Sequence, residues 1–161
     1  MSENENETGQ SAPSAPGEVI KVLLVDDQSL IRMGFRMVLE AADDITVVGE
    51  AADGKTALKM VKATAPDVVL MDVRMPNMNG IVATSEIIAS NPNVKVLILT
   101  TFDLDEYAFA ALRAGASGFL LKDAKPEELI GAIRNVAHGD ATISPRVTKR
   151  MLDMFAPQLP G

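Results

Sequence analysis

The segment VIKVLLVDDQSL, residues 19–30, decides the fold. Val and Ile dominate its first seven positions, then the chain turns abruptly polar at Asp26-Asp27. An apolar run this short and this rich in β-branched residues is a strand, and one without polar alternation is covered on both faces, as strands of parallel sheets are. Directly after the two carboxylates, SLIRMGFRMVLEAA (29–42) changes to helical spacing. Leu30, Met33, Met37, Val38 and Ala41 fall on one stripe there, the face predicted to pack on the core.

The same unit recurs along the chain. Further apolar runs are ITVVGE (45–50), DVVLMD (67–72), VKVLILT (94–100) and SGFLL (117–121), the last assigned as a strand from its position. Helical stretches alternate with them. Asp53 is placed to cap the helix that follows Gly54, and Gly80 opens IVATSEIIAS. Asp103 opens LDEYAFAALRA, with Gly115 as its C-cap. Pro126 stands in the first turn of EELIGAIRNVA with Glu127 and Glu128, and Gly139 ends it. Alternating strands and helices over about 120 residues mean a doubly wound α/β domain, a five-stranded parallel sheet with helices on both faces. Ligands of such sheets bind at the carboxyl ends of the strands.

Composition narrows the chemistry. The chain has 161 residues, 22 acidic against 15 basic, and a net charge of −7. That balance argues against a chain built to coat nucleic acid. With no cysteine there is no disulfide frame or thiolate zinc site, and with one histidine a Ser-His-Asp triad is nearly excluded. That histidine, His138, is expected as a surface residue at a helix end. No apolar run approaches the ~20 residues of a membrane span, and the acidic opening MSENENETGQ is not a signal peptide, so a cytoplasmic protein without membrane contact is expected. Residues 1–17 lack the apolar content to fold and are read as a disordered tail, leaving 18–140 as the domain.

The predicted strand ends carry Asp26 and Asp27, Asp72, Thr100 with Thr101, and Lys122. In a doubly wound sheet these ends lie side by side. Three carboxylates in one cleft repel one another, and a single lysine cannot offset them, so a cation is implied. An oxygen-only donor set suits Mg²⁺ and phosphate chemistry. Asp72, alone at the end of the central run, is the best nucleophile toward a phosphoryl group. Lys122 and a threonine hydroxyl would then hold the phosphoryl oxygens.

Four blocks, VLLVDDQSLIRMGFRMVLE, VVLMDVRMPNMNGI, VLILTTFD and AGASGFLLKD, closely resemble the receiver domain of two-component response regulators over residues 19–138. The stretch LTTFDLDEYAFAALRAGASGFLLKDAKPEEL is similar to the NarL/FixJ (LuxR-type) subfamily in particular. The resemblance implies a flavodoxin-like (βα)5 fold with strand order 2-1-3-4-5. It implies a signalling phospho-acceptor rather than an ordinary enzyme, which catalyses only its own phosphorylation and dephosphorylation. Asp72 would take the phosphoryl group from a sensor histidine kinase. Asp26, Asp27, Asp72 and the backbone carbonyl of Arg74 would bind Mg²⁺. Lys122 would contact the phosphoryl group, and Thr100 and Phe119 would switch together, the ring turning inward. Homodimerisation on phosphorylation is a further expectation.

Some positions depart from the wider family. Lys122 is followed by Asp123 rather than proline, as the NarL-like subfamily often shows. Arg74 and Phe102, two residues after Asp72 and Thr100, offer no acid or amide to orient attacking water, so a long-lived phospho-aspartate is expected. NarL/FixJ regulators carry a helix-turn-helix DNA-binding domain after the receiver. Here residues 141–161 read as a linker and a helix over about 144–155, with an apolar stripe of Val147, Met151, Leu152 and Phe155. The chain is therefore expected to be a receiver whose DNA contact would come through an absent C-terminal domain. The alternative is a stand-alone receiver signalling through protein–protein contacts. A haloacid-dehalogenase-like phosphatase lacks support because VDDQSL does not have that family's Asp-x-Asp-x-Thr spacing. No glycine-rich loop supports a dinucleotide site. A pseudo-receiver would have lost part of the acidic site that this chain keeps.

Overall fold

A computed structural model describes residues 18–72, 80–100, 110, 113–139 and 142–143. Its strands are β1 (Ile20–Val25), β2 (Ile45–Ala51), β3 (Val68–Asp72), β4 (Lys95–Thr100), β5 (Gly118–Leu121) and β6 (Thr142–Ile143). The described helices are α1 (Ser29–Glu40), α2 (Gly54–Thr64), α3 (Gly80–Ser90) and α4 (Pro126–Ala137). All strand pairs are parallel, in the order β2-β1-β3-β4-β5-β6. The first five follow the expected 2-1-3-4-5 order, and each begins and ends within about a residue of its apolar run.

Side chains alternate across the pleat into two cores. Leu23, Val25, Val69, Met71, Val96 and Ile98 meet Ala57 and Val61 of α2 and Ala83 and Ile87 of α3. Val22, Leu24, Val68, Leu70, Leu97 and Leu99 face the other way, against Leu39 of α1 and Leu129, Ile133 and Val136 of α4. Every residue of β3 is buried, as a central strand between two helical layers must be. The strand order reverses between β1 and β3, which opens a crevice at their carboxyl ends.

Helix ends follow the local chemistry. The Asp53 carboxylate accepts from the Thr56 N–H at 2.8 Å, satisfying one of the orphan donors of α2. Asp53→Ala should cost about 1 kcal/mol, read as a lower urea midpoint with an unchanged slope. Pro126 occupies the first turn of α4, and the Glu128 carboxylate reaches back to the Lys125 N–H at 3.0 Å. Gly115 and Gly139 take positive φ values of 113° and 93°, the left-handed geometry expected after a helix. His138 is the exposed cap of α4.

Two sequence expectations change. The stripe predicted to pack α1 on the core mostly points outward. Leu30, Met33 and Met37 are 77%, 57% and 71% exposed, and Ala41 is exposed as well. Leu39 is wholly buried instead, with Phe35, Val38 and Ala42 packed beside it, so of the predicted stripe only Val38 turns inward. A second apolar face, Phe35, Val38, Leu39 and Ala42, takes the core instead, and that orientation also lets Arg32 and Arg36 reach Glu50 on β2. The second change is β6, which adds two residues to a sheet expected to end at β5. The tail over 1–17, the predicted helix beginning at Asp103 (apart from residues 110, 113 and 114) and the helix over 144–155 lie outside the described residues.

Candidate functional site

Parallel pairing brings the strand ends together in steps. Val25 pairs with Met71, Asp72 with Leu99, and Thr100 with Leu121. Asp26 and Asp27 continue from β1, Asp72 closes β3, Thr100 closes β4, and Lys122 follows β5. One carboxylate oxygen each from Asp26, Asp27 and Asp72 lie within 4.8 Å of one another. The Lys122 ammonium sits 3.0 Å from Asp26 Oδ2 and 3.3 Å from Asp72 Oδ2. Asp26 and Asp72 are buried, whereas Asp27 is exposed and opens the cluster to solvent.

The two buried groups are tied to named partners. Asp26 Oδ1 accepts from the Gln28 N–H at 2.9 Å. Its Oδ2 is buried against the Lys122 ammonium. Burial works to lower the Lys122 pKa. The hydrogen bond to Asp26 and the negative charges of Asp72 and Asp26 outweigh it and hold the ammonium above its ordinary value. Lys122 thus stays charged at neutral pH. Three carboxylates against one ammonium leave two negative charges in excess, and that all-oxygen donor set fits a hard divalent cation.

Thr100 is buried, and its carbonyl accepts from the Lys122 N–H at 2.8 Å, which ties the base of the lysine to β4. Phe119 is fully buried in the core that faces α2 and α3. Arg74, Thr101 and Phe102 lie outside the described residues, as do Met75 and Met78 of the loop after Asp72.

Sequence reasoning passed over Arg32 and Glu50. The Arg32 Nε donates to Glu50 Oε1 at 2.8 Å, while its Nη1 donates to the backbone carbonyl of Asp26. Arg36 Nε holds the other Glu50 oxygen at 2.9 Å. The available signal was a carboxylate at the carboxyl end of a β-branched run, with two arginines one helical turn apart on the preceding helix.

Residues 22–134 match the family model of the response regulator receiver domain. The chain is 56% identical over 122 residues to the transcriptional regulatory protein YxjL of Bacillus subtilis (strain 168), a match that covers 76% of this chain and 56% of that protein. It is 44% identical over 137 residues to the oxygen regulatory protein NreC of Staphylococcus carnosus (strain TM300), covering 84% of this chain and 63% of that one. It therefore spans between half and two thirds of these curated relatives. A crystal structure of a LuxR-family two-component response regulator from Aurantimonas sp. SI85-9A1 superposes with a TM-score of 0.80 at 33% identity, covering 86% of this chain and 99% of that one. With the sheet order, the acidic crevice and these matches in agreement, the chain belongs to the response regulator receiver domains, phospho-acceptor modules of signalling, in their NarL/LuxR-type branch.

Proposed function

We propose that this receiver takes a phosphoryl group onto Asp72 from the phosphohistidine of a sensor histidine kinase, in the cytoplasm, with Mg²⁺ bound by Asp26, Asp27, Asp72 and the Arg74 carbonyl. The observation that carries the reading is the Asp72 carboxylate at the end of the central strand, within 3.3 Å of an ammonium and beside two further carboxylates. A carboxylate oxygen of Asp72 attacks phosphorus, a P–O bond forms, and the P–N bond to the kinase histidine breaks with its electrons leaving on the ring nitrogen. Bound Mg²⁺ supplies charge neutralisation at the phosphoryl oxygens. Lys122 adds a fixed positive charge there, and its tie to the Thr100 carbonyl keeps it in place. Asp26 orients Lys122, and Asp27 is the acid open to an incoming cation.

In this reading the Thr100 hydroxyl binds the phosphoryl group and Phe119 follows it. The ring already lies inward, so the switch consists of holding it there. The output is dimerisation and control of an attached helix-turn-helix domain in transcription. Support comes from the greater length of the curated relatives, two of them named as regulatory proteins. No helix among the described residues is long and apolar enough to cross a membrane.

Incubation with acetyl phosphate and Mg²⁺, followed by intact mass measurement, tests the central step. One added phosphoryl group is expected, and none with Asp72→Asn or with Mg²⁺ removed by chelation. An unchanged mass in the unaltered protein would overturn the reading.

A further inference from the structure

The acidic pair is held from behind by a device that begins in β2. Val22 pairs with Val47 and Leu23 pairs with Gly49, so Val48 is an extra residue, a bulge. The bulge reverses the faces of the strand. Ile45 and Val47 pack toward α1 and α4, yet Ala51 packs in the opposite core. Strict alternation would have put all three on one side. Gly49 now faces α2, beside the Met60 methyl and Leu23. Glu50 is thereby turned to the α1 face, between Arg32 and Arg36.

Arg32 carries this placement into the site. One edge of its guanidinium is fixed by Glu50, and Nη1 holds the carbonyl oxygen of Asp26. That oxygen belongs to the peptide plane joining Asp26 to Asp27, and a peptide is planar. Fixing it sets the direction in which the Asp27 backbone leaves. Asp27 is exposed, so the position of its carboxylate depends on that backbone. The other side of Asp26 is tied to β2 as well, its N–H donating to the Ala51 carbonyl at 3.1 Å. Arg32 is itself largely buried, its side chain 16% exposed. A two-armed guanidinium suits such a post better than an ammonium.

We infer that Arg32, locked by the bulge-turned Glu50, is a positioning residue that aims the Asp26–Asp27 pair at the divalent cation. The inference rests on the site reading given under Proposed function. It concerns cation affinity rather than the nucleophile.

Calorimetric titration of the full chain with Mg²⁺ tests it, with circular dichroism to verify folding. Arg32→Gln should weaken Mg²⁺ binding about 10- to 100-fold, the usual loss when a group behind a metal ligand is removed. Saturating Mg²⁺ should restore most of the maximal rate of phosphorylation by acetyl phosphate. Glu50→Gln should weaken binding in the same direction, and it carries the test if Arg32→Gln does not fold. Arg36→Gln touches the same Glu50 but not Asp26, and should stay within about threefold of the unaltered protein, well short of the positioning loss. Arg32→Lys should recover only part of the affinity. Undiminished affinity in folded Arg32→Gln, or in Glu50→Gln where only that variant folds, would overturn the positioning role alone. So would an equal loss in Arg36→Gln, which would mark a general effect of the ion-pair cluster. Absence of Mg²⁺ binding in the unaltered protein would instead overturn the site reading on which the inference stands.

Discussion

Lys122→Met should slow phosphorylation of Asp72 by acetyl phosphate about 10²- to 10³-fold, the usual loss when one preorganised positive group is taken from a charge-developing transition state. The substitution keeps length and apolar stem and removes only the ammonium, which lies 3.0 Å from Asp26 and 3.3 Å from Asp72. A rate within threefold of the unaltered protein would show that the lysine is a structural counter-ion only. The unaltered protein should lose stability at the alkaline end. The Lys122 pKa is raised, so its stabilisation is complete below the ordinary lysine value of 10.5 and is lost as pH rises through the higher folded value.

Leu39→Ala should lower unfolding free energy by about 2–5 kcal/mol, whereas Met37→Ala should stay within about 0.5 kcal/mol. Leu39 is wholly buried against the sheet, and its loss leaves a cavity between α1 and β-strand residues such as Val22 and Leu24. Met37 is 71% exposed and touches little. Paired urea titrations decide the matter, and equal costs would mean that α1 is rotated from the position described here. The apolar periodicity of α1 taken alone predicts the reverse order, since it puts Met37 on the core stripe and leaves Leu39 off it.

That reversal marks where sequence reading stopped. Strand positions were legible because a strand buried on both faces has to be an unbroken apolar run. The polar residue that ends each run has to sit at the sheet's rim, so Asp26, Asp72, Thr100 and Lys122 could be placed without knowing any contact. The Asp53 cap was legible because its partner, Thr56, is three residues away. The rotation of α1 was not, because apolar residues occupy both sides of that helix and the side that packs depends on partners distant in sequence, the sheet core and Glu50, 14 residues beyond Arg36. The bulge at Val48 left no mark either. ITVVGE reads as a plain strand, and the flip of Glu50 shows only once pairing with β1 is known. Nor could β6 be read from Thr142-Ile143, since two residues carry no periodicity.

The short β6 also bears on how the molecule keeps to itself. Without it, β5 would end the sheet as an open ladder of amide and carbonyl groups, four residues long and wholly apolar in sequence. Such an edge invites strand addition from another molecule. Thr142 and Ile143 occupy it beside Gly118 and Phe119. At the opposite edge the bulge in β2 breaks the regular hydrogen-bond spacing that a foreign strand would need. Each margin of the parallel sheet is thus interrupted over part of its length, which works against edge-to-edge strand addition.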